Sequence, residues 1–184
     1  MRIKGHDITA KQLICLVLYY CFAIYLPDSN GFIKWGTSIR RFLCSNIFKK
    51  CGKQVMIHKG ANFGIGIYIE IGDYSDIGVN AHIPSDTIIG DYVLMAPNCH
   101  IFFNNHKFTD INTPIKLQGL TERKQTIIED DVWIGSNVTF TAGRHVRKGT
   151  IIGTCCVLTK DFPEYSVVGG NPSKLIRSRL DNVK

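Results

Sequence analysis

The sequence lacks two features that would place the protein outside the cytoplasm. Its seven cysteines are an odd number and none is spaced as a CxxC pair, so they do not resemble the framework of a secreted disulfide-rich domain. Its longest apolar stretch, residues 13–26, is shorter than the roughly 20 residues that span a bilayer. It also lacks the small-residue cleavage site of a signal peptide. We therefore expect a cytoplasmic protein.

The apolar stretch 13–26 has two interpretations. It is a helix that packs on the domain itself or at a subunit contact, or a helix that makes peripheral contact with the inner face of the cytoplasmic membrane. The first interpretation is the simpler one, and a basic stretch that follows the helix is the support for the second. This stretch contains Lys34, Arg40, Arg41, Lys49, Lys50 and Lys53. In either case we expect residues 1–52 to form a helical N-terminal cap segment.

Acidic residues are also scarce relative to basic ones. The chain has 15 Asp and Glu against 22 Lys and Arg, which gives a net charge of +7 and suggests an anionic partner. No nucleic-acid-binding motif is present, so we expect no nucleic-acid partner. With 45% hydrophobic residues, the 184 residues suffice for one domain with a hydrophobic core, which excludes a disordered chain.

Apolar residues recur at every sixth position, first from Ile71 to Ile101 and then from Ile128 to Leu158. The next residue is often small, as at Gly72 and Gly135. Such a period does not fit an α-helix but fits short strands joined by tight corners. Three hexads close one coil, so we predict an all-β fold, a parallel β-helix over residues 53–170. The period-six positions are Ile71, Ile77, Ile83, Ile89, Met95, Ile101, Ile128, Ile134, Phe140, Val146, Ile152 and Leu158.

The two ends of the β-helix are less regular. Ile57 and Phe63 mark weaker hexads of an incomplete first coil, with a register slip around residues 64–69. After Asn171-Pro172, we predict that residues 171–184 form a turn and a short helix that cover the last coil. The handedness of the β-helix does not follow from the spacing.

The repeat is interrupted once, by residues 102–127, and then resumes in phase. An insertion that preserves the register predicts a loop that leaves one corner of the solenoid. The loop contains His106 in the sequence Asn104-Asn105-His106-Lys107-Phe108. A neutral imidazole can accept the proton of an attacking hydroxyl group, so His106 is a candidate general base.

Four motifs in order carry a resemblance to a known family. They are the His106 loop, residues 128–138 (IEDDVWIGSNV), residues 157–161 (VLTKD) and residues 165–177 (YSVVGGNPSKLIR). Together they resemble hexapeptide-repeat O-acetyltransferases, specifically the branch that modifies capsular polysaccharides and exopolysaccharides. They are also similar to maltose, galactoside and nodulation-factor acetyltransferases.

The resemblance implies a left-handed β-helix and a homotrimer with active sites between subunits. It also implies direct acetyl transfer from acetyl-CoA to a sugar or glycan hydroxyl group, with a polysaccharide or lipopolysaccharide precursor as acceptor. His106 is then the base, Asn105 and Asp110 are candidates to orient it, and Trp133 lines the acceptor or cofactor side. The implied cofactor-binding residues are Gly135, Ser136, Ala142, Gly143, Gly153, Thr154, Thr159, Lys160, Pro172, Lys174 and Arg177.

The chain departs from the family pattern at three positions. Gly78 stands where maltose-type enzymes carry an asparagine, which argues against that acceptor class. Arg144 and His145 replace a small and an apolar residue, so the site there is expected to be built differently.

Two other functions remain alternatives. γ-Class carbonic anhydrases are hexapeptide β-helices that bind metal through histidines, and His82 and His100 lie 18 residues apart, so they stack on successive coils. The third position of that column is Thr139, so the ladder lacks a third ligand unless His106 supplies it. We therefore expect no metal. The second alternative is a non-catalytic assembly module.

Overall fold

The computed structural model describes residues 2–3, 6–28 and 35–182. Lys34 and residues 183–184, which belong to the predicted basic stretch and C-terminal segment, lie outside the described residues. The described part of the N-terminal segment is largely helical. It contains a short antiparallel pair, β1 (Arg2–Ile3) and β2 (His6–Asp7), then α1 (Ala10–Cys21), a 3-10 turn (Ala23–Tyr25) and α2 (Trp35–Ile47). Within the described ranges, neither helix has the length and apolar character needed to traverse a bilayer.

Short parallel strands then wind into a three-sided β-helix. The strands are β3 (Lys50–Cys51), β4 (Met56–Ile57), β5 (Glu70–Ile71), β6 (Asp76–Ile77), β7 (Ile88–Ile89), β8 (Leu94–Met95), β9 (His100–Ile101), β10 (Ile127–Ile128), β11 (Trp133–Ile134), β12 (Thr139–Phe140), β13 (His145–Val146), β14 (Ile151–Ile152), β15 (Val157–Leu158) and β16 (Ser166–Gly169). The first face contains β3, β5, β7, β10 and β13, and the second contains β4, β6, β8, β11, β14 and β16. The third face contains β9, β12 and β15.

The predicted register is confirmed by the strand pairing. Ile71 pairs with Ile89, Ile89 pairs with Ile128 and Ile128 pairs with Val146, so the repeat does resume in phase after the loop. Every apolar residue of the six-residue repeat is buried. The ladder of aliphatic side chains therefore fills the prism and is the hydrophobic core.

The corners explain why glycine recurs beside the core positions. A Cβ atom on Gly78 would lie 2.4 Å from the carbonyl oxygen of Ala96 on the next coil, so the stacked corners leave no space for a side chain.

A second turn position was not predicted from the sequence. Asn80, Asn98 and Asn137 follow the inward residues by three and have positive φ angles, a conformation that asparagine tolerates better than most residues.

The first coil is two residues longer than a regular coil, because Ile57 pairs with Ile77 whereas Ile71 pairs with Ile89. Ile67 and Ile69 of the extended corner are both buried. The structure thus contains the register slip at the predicted place. The first rung is Lys50–Cys51, so the β-helix begins inside the segment assigned to the cap.

The N-terminal helices seal the open edge of the first coil. The hydroxyl group of Tyr19 donates to the Ala61 carbonyl at 2.7 Å, and Nε of Arg40 donates to the Ile57 carbonyl at 2.7 Å. Arg40 is fully buried and also forms an ion pair with Asp28. These polar side chains satisfy backbone groups that no further strand can reach.

The C-terminal segment differs from the prediction in one respect. Residues Lys174–Ser178 form a strand, β17, that pairs antiparallel with β16, and helical structure is limited to a 3-10 turn at Leu180–Asn182. Within residues 171–184, where a turn and a short helix were predicted, most of the regular structure is therefore a strand, and it pairs with the last strand of the second face. A strand is favoured because β16 would otherwise present an unpaired edge.

Candidate functional site

The interrupting loop forms an arm (residues 102–126) that leaves the corner between the third and first faces. Its two sides are joined like a short hairpin. The N–H of Lys107 donates to the Gly119 carbonyl at 3.0 Å, and the N–H of Thr121 donates to the Asn105 carbonyl at 2.8 Å. These hydrogen bonds lie on both sides of His106, which pairs with Leu120. The backbone of the candidate base is therefore held in an ordered position.

The base of the arm is anchored by an ion pair that the sequence did not reveal. Nε and Nη2 of Arg123 donate to the two carboxylate oxygens of Asp86 at 2.7 and 2.6 Å. This bidentate pair raises the pKa of Arg123 above its ordinary value. The guanidinium also lies 4.8 Å from the ring centroid of Phe103. Arg123 and Phe103 come from the two sides of the arm, so the pair fixes both to the β-helix corner.

The His106 imidazole is exposed, and it makes no hydrogen bond to any residue within the described ranges. The carboxylate of Asp110 accepts hydrogen bonds from the Thr113 hydroxyl at 2.6 Å and the Asn112 N–H at 2.9 Å. These bonds lower the pKa of Asp110. Asp110 thus closes a turn of its own arm. A single chain does not bring Asp110 or the Asn105 side chain to the imidazole.

A cavity of about 420 Å³ lies beside the base of the arm. Two of its walls are the imidazoles of His82 and His100, which stack with ring centroids 5.2 Å apart, and Phe102 stacks on His100 at 4.6 Å. Burial, and secondly the neighbouring His82, lower the pKa of His100, which favours its neutral form. The residues that line the cavity are Asn62, Phe63, Gly64, Ile65, His82, Ile83, Pro84, Ser85, His100, Ile101, Phe103 and Arg123.

This cavity combines flat rings with neutral groups that donate and accept hydrogen bonds. Aromatic faces and imidazole nitrogens of this kind suit a small polyhydroxyl ligand. The His82–His100 ladder continues to Thr139, as the spacing predicted. Within the described residues, no cluster of three or more His, Cys, Asp or Glu side chains is arranged to hold a metal ion.

The predicted cofactor-binding residues that precede the C-terminal segment fall into two groups, one on either side of the third face. The first group lies at the corner between the second and third faces and comprises Gly135, Ser136, Gly153 and Thr154. The second lies at the corner from which the arm leaves and comprises Ala142, Gly143, Thr159 and Lys160. A Cβ atom on Gly143 would lie 2.4 Å from Cβ of Lys124, so the arm packs directly on the second group.

The C-terminal site residues occupy the end of the β-helix. The N–H of Ser173 donates to the Val157 carbonyl at 3.0 Å, which places Pro172 beside the last rung of the third face. Lys174 and Arg177 are exposed on β17, which extends the second face. Trp133 is half-exposed on the same face. Lys160 follows Thr159, whose N–H donates to the Ser173 hydroxyl group at 3.1 Å, so the C-terminal segment meets the end of the third face beside Lys160.

The departure at Arg144 has a structural explanation. Its Nη1 donates to the Thr159 carbonyl at 2.9 Å and its guanidinium lies 3.5 Å from Asp161. The side chain therefore donates hydrogen bonds to backbone carbonyl groups at the corner below the arm. Nε2 of His145 lies 2.7 Å from Oε1 of Glu129, so this imidazole already has a carboxylate partner.

Comparisons with curated proteins find several acetyltransferases, although no family model matches. The chain is 32% identical over 150 residues to a probable acetyltransferase of Mycobacterium tuberculosis, covering 70% of this chain and 49% of that protein. It is 34% identical over 116 residues to a putative acetyltransferase of Saccharomyces cerevisiae (63% and 58%). It is 29% identical over 147 residues to the galactoside O-acetyltransferase of Escherichia coli (79% and 71%). The chain thus spans about half the length of the first two relatives.

Solved structures share the fold over nearly the whole chain. A galactoside acetyltransferase in complex with coenzyme A superposes with a TM-score of 0.74 at 27% identity, covering 94% of this chain and 84% of that chain. A maltose O-acetyltransferase from Clostridium difficile gives a TM-score of 0.69 at 27% identity, with coverage of 91% and 86%. The left-handed form of the β-helix, which the resemblance implied, is confirmed by these matches.

Proposed function

This chain belongs to the hexapeptide-repeat O-acetyltransferase family, and we propose from this premise that it transfers an acetyl group from acetyl-CoA to a sugar hydroxyl group. One observation carries the proposal. Over 94% of its length, the chain matches a galactoside acetyltransferase that was solved with coenzyme A. The candidate base His106 supports the proposal, because it lies on an ordered arm whose residues Phe103 and Arg123 line a cavity of sugar-like size.

The two groups of small residues are suited to an extended thioester ligand. Ser136, Gly153 and Thr154 are at least partly exposed at their corner, where short side chains allow a pantetheine arm to approach the backbone closely. Lys160, Lys174 and Arg177 would meet the phosphate groups. We propose that the cofactor is held between two neighbouring chains, as the family resemblance implies.

His106 acts as the general base in the proposed mechanism. Its neutral imidazole takes the proton of the acceptor hydroxyl group as the oxygen attacks the thioester carbonyl carbon. The C–O bond forms, backbone N–H groups at the corner stabilise the oxyanion, and the C–S bond then breaks. The imidazolium returns the proton to the leaving sulfur. Transfer is direct, so no acyl-enzyme forms.

We propose a homotrimer in which the arm of one chain lies against its neighbour. Ile111 is 93% exposed at the tip of the arm, and Phe108 and Leu117 are also largely exposed. Apolar side chains concentrated on a projecting arm indicate a contact surface. The neighbour would also supply the partner that orients His106, because none of the described residues of one chain forms a hydrogen bond with its imidazole.

We propose a polysaccharide or lipopolysaccharide precursor as the acceptor, modified at the cytoplasmic face of the membrane. The cavity beside the arm would bind the sugar ring, with Phe103 as a stacking surface and the imidazole edges of His82 and His100 as hydrogen-bonding groups. Arg123 closes one side of the cavity while bound to Asp86. The neutral imidazole of His100 can donate to one hydroxyl group and accept from another.

The proposal is tested by incubating the protein with isotope-labelled acetyl-CoA and a panel of nucleotide sugars, lipid-linked glycans and free sugars. Mass spectrometry is expected to detect one added acetyl group, as an alkali-labile ester, on a glycan acceptor. Consistent labelling of amines instead of hydroxyl groups would contradict O-acetyl transfer. A variant His100→Ala is expected to raise KM for the acceptor more than it lowers kcat, because His100 contacts sugar and not the donor.

A further inference from the structure

The outer face of α1 is apolar although the helix caps the molecule. Cys15, Leu16 and Tyr19 on its inner face are buried. The opposite face carries large apolar side chains that are 48% to 70% exposed, in an array that continues past the end of the helix. These outer-face residues are Ile14, Val17, Leu18, Phe22 and Tyr25.

The position of α1 makes this exposure unusual. The hydroxyl group of Tyr19 donates to the Ala61 carbonyl at 2.7 Å, and that of Tyr20 donates to the Gly64 carbonyl at 2.8 Å. The helix therefore covers the end of the first coil, and its outer face points away from the β-helix. Terminal caps of solenoids carry polar outer faces, because no further repeat stacks on them. A contiguous apolar outer face at this position indicates a binding surface.

The charge around this surface indicates which kind of partner it binds. Lys11 lies on α1 itself, and Lys50, Lys53 and Lys59 lie on the adjacent first coil; all four are exposed. None of the four forms an ion pair with an acidic residue in the described part of the chain. A second copy docked end to end would bring two such lysine sets together and leave their repulsion uncompensated. An anionic surface would instead neutralise them.

We infer that the outer face of α1 binds the interfacial region of an anionic phospholipid bilayer. Ile14, Leu18 and Phe22 lie among the headgroups and upper acyl chains, with the helix parallel to the membrane plane. The lysines contact the anionic headgroups. The β-helix then extends away from the membrane, so the arm remains accessible to solvent. The inference adds a location to the proposed function and does not require acetyl transfer to be correct.

Two leucines provide a matched pair of variants. Leu18 is 48% exposed on α1, and Leu180 is 56% exposed at the opposite end of the molecule. Leu18→Glu places a charge within the proposed membrane surface, whereas Leu180→Glu makes the same change far from it. Circular dichroism and the elution volume on gel filtration are compared first, so that both variants are known to retain the fold and assembly of the unaltered protein.

The experiment is flotation with vesicles of phosphatidylcholine alone or mixed with phosphatidylglycerol. The unaltered protein is expected to float with the mixed vesicles and much less with phosphatidylcholine alone. Leu18→Glu is expected to weaken binding by about tenfold or more, and Leu180→Glu to leave it unchanged. The double variant Lys50→Gln/Lys53→Gln is expected to lose about fivefold per lysine at low salt, and less at high salt.

Three outcomes would overturn the inference. The first is that the unaltered protein does not float with mixed vesicles at low salt. The second is that both leucine variants bind equally well. The third is a doubled particle mass in solution that Leu18→Glu halves, which would assign the surface to a second copy of the chain. Acetyl transfer to a water-soluble acceptor is measured separately on Leu18→Glu, so a failure of membrane binding remains distinguishable from a failure of the proposed enzyme activity.

Discussion

Replacement of Arg40 by methionine tests how the open end of the β-helix is closed. Methionine fills a similar length of side chain but removes every donor. In the structure, Nε of Arg40 donates to the Ile57 carbonyl at 2.7 Å and Nη1 donates to the Leu26 carbonyl at 2.7 Å. Nη2 donates to the carboxylate of Asp28. Nη1 also donates to the Ala23 carbonyl at 3.2 Å. The variant therefore leaves three carbonyl oxygens and one carboxylate without this partner.

The magnitude follows from these losses. The Ile57 and Leu26 carbonyls have no other backbone donor within the described ranges, and each unpaired buried group costs about 1–3 kcal/mol. Asp28 is less affected, because it still accepts a hydrogen bond from the Lys59 N–H at 2.9 Å. Breaking a buried pair typically costs about 3–5 kcal/mol. For a chain of this size we expect Tm to fall by about 10 °C.

Thermal and urea denaturation followed by circular dichroism measure the effect. Arg41→Met is the control. Nη1 of Arg41 donates to the exposed side chain of Gln54 at 3.0 Å, and the loss of this surface contact should change stability by less than about 0.5 kcal/mol. Asp28→Asn and the double variant complete a cycle, in which we expect a coupling of about 1–3 kcal/mol. A loss below about 1 kcal/mol for Arg40→Met, or equal losses for both arginines, would refute the edge-capping argument.

Three further predictions follow from the geometry. Burial raises the pKa of Asp76, so its ionised form opposes folding at neutral pH. Asp76→Asn should therefore raise Tm near pH 8, and this gain should shrink as the pH falls through the raised pKa, where the native carboxyl binds a proton. Arg123→Gln breaks the bidentate pair with Asp86 and should increase limited proteolysis of the arm severalfold, whereas Arg179→Gln, which breaks another exposed ion pair, should not. Gly78→Ala places a methyl group against a backbone carbonyl oxygen and should destabilise the fold by about 1–3 kcal/mol in urea titrations.

The six-residue repeat made most of the fold predictable because one physical requirement sets it. Each inward position must fill the same triangular core, and this repeats in every coil, as at Ile71, Ile89 and Ile128. The ends obey a different requirement, which is to satisfy an unpaired strand edge. Arg40 does so by donating to a backbone carbonyl group, and β17 does so by pairing with β16, so neither solution repeats along the chain. In the sequence, Arg40 looks like a surface cation and residues 174–178 look like a basic helix.

The candidate site was predictable only where it interrupts the repeat. The position of His106 on the arm follows from the break in period. The ion pair between Arg123 and Asp86 joins residues that no sequence motif connects. The 18-residue spacing of His82 and His100 predicts that they stack on successive coils, but it does not predict the cavity beside them. Asp110 was one of two candidates to orient the imidazole, and its carboxylate accepts hydrogen bonds from Thr113 and Asn112 in its own turn. Such contacts depend on the folded path of the arm, which hydrophobic periodicity does not encode.

The most direct test of the proposed mechanism compares donor binding with turnover in His106→Ala. Calorimetry gives the Kd for coenzyme A, and release of free thiol from acetyl-CoA in the presence of an acceptor gives kcat. Because a general base acts in the transition state and not in donor binding, we expect an unchanged Kd and a kcat that falls by about 10²–10⁴. Lys107→Ala, on the adjacent residue, should retain both values. Near-normal turnover by His106→Ala would contradict the assignment of His106 as the base.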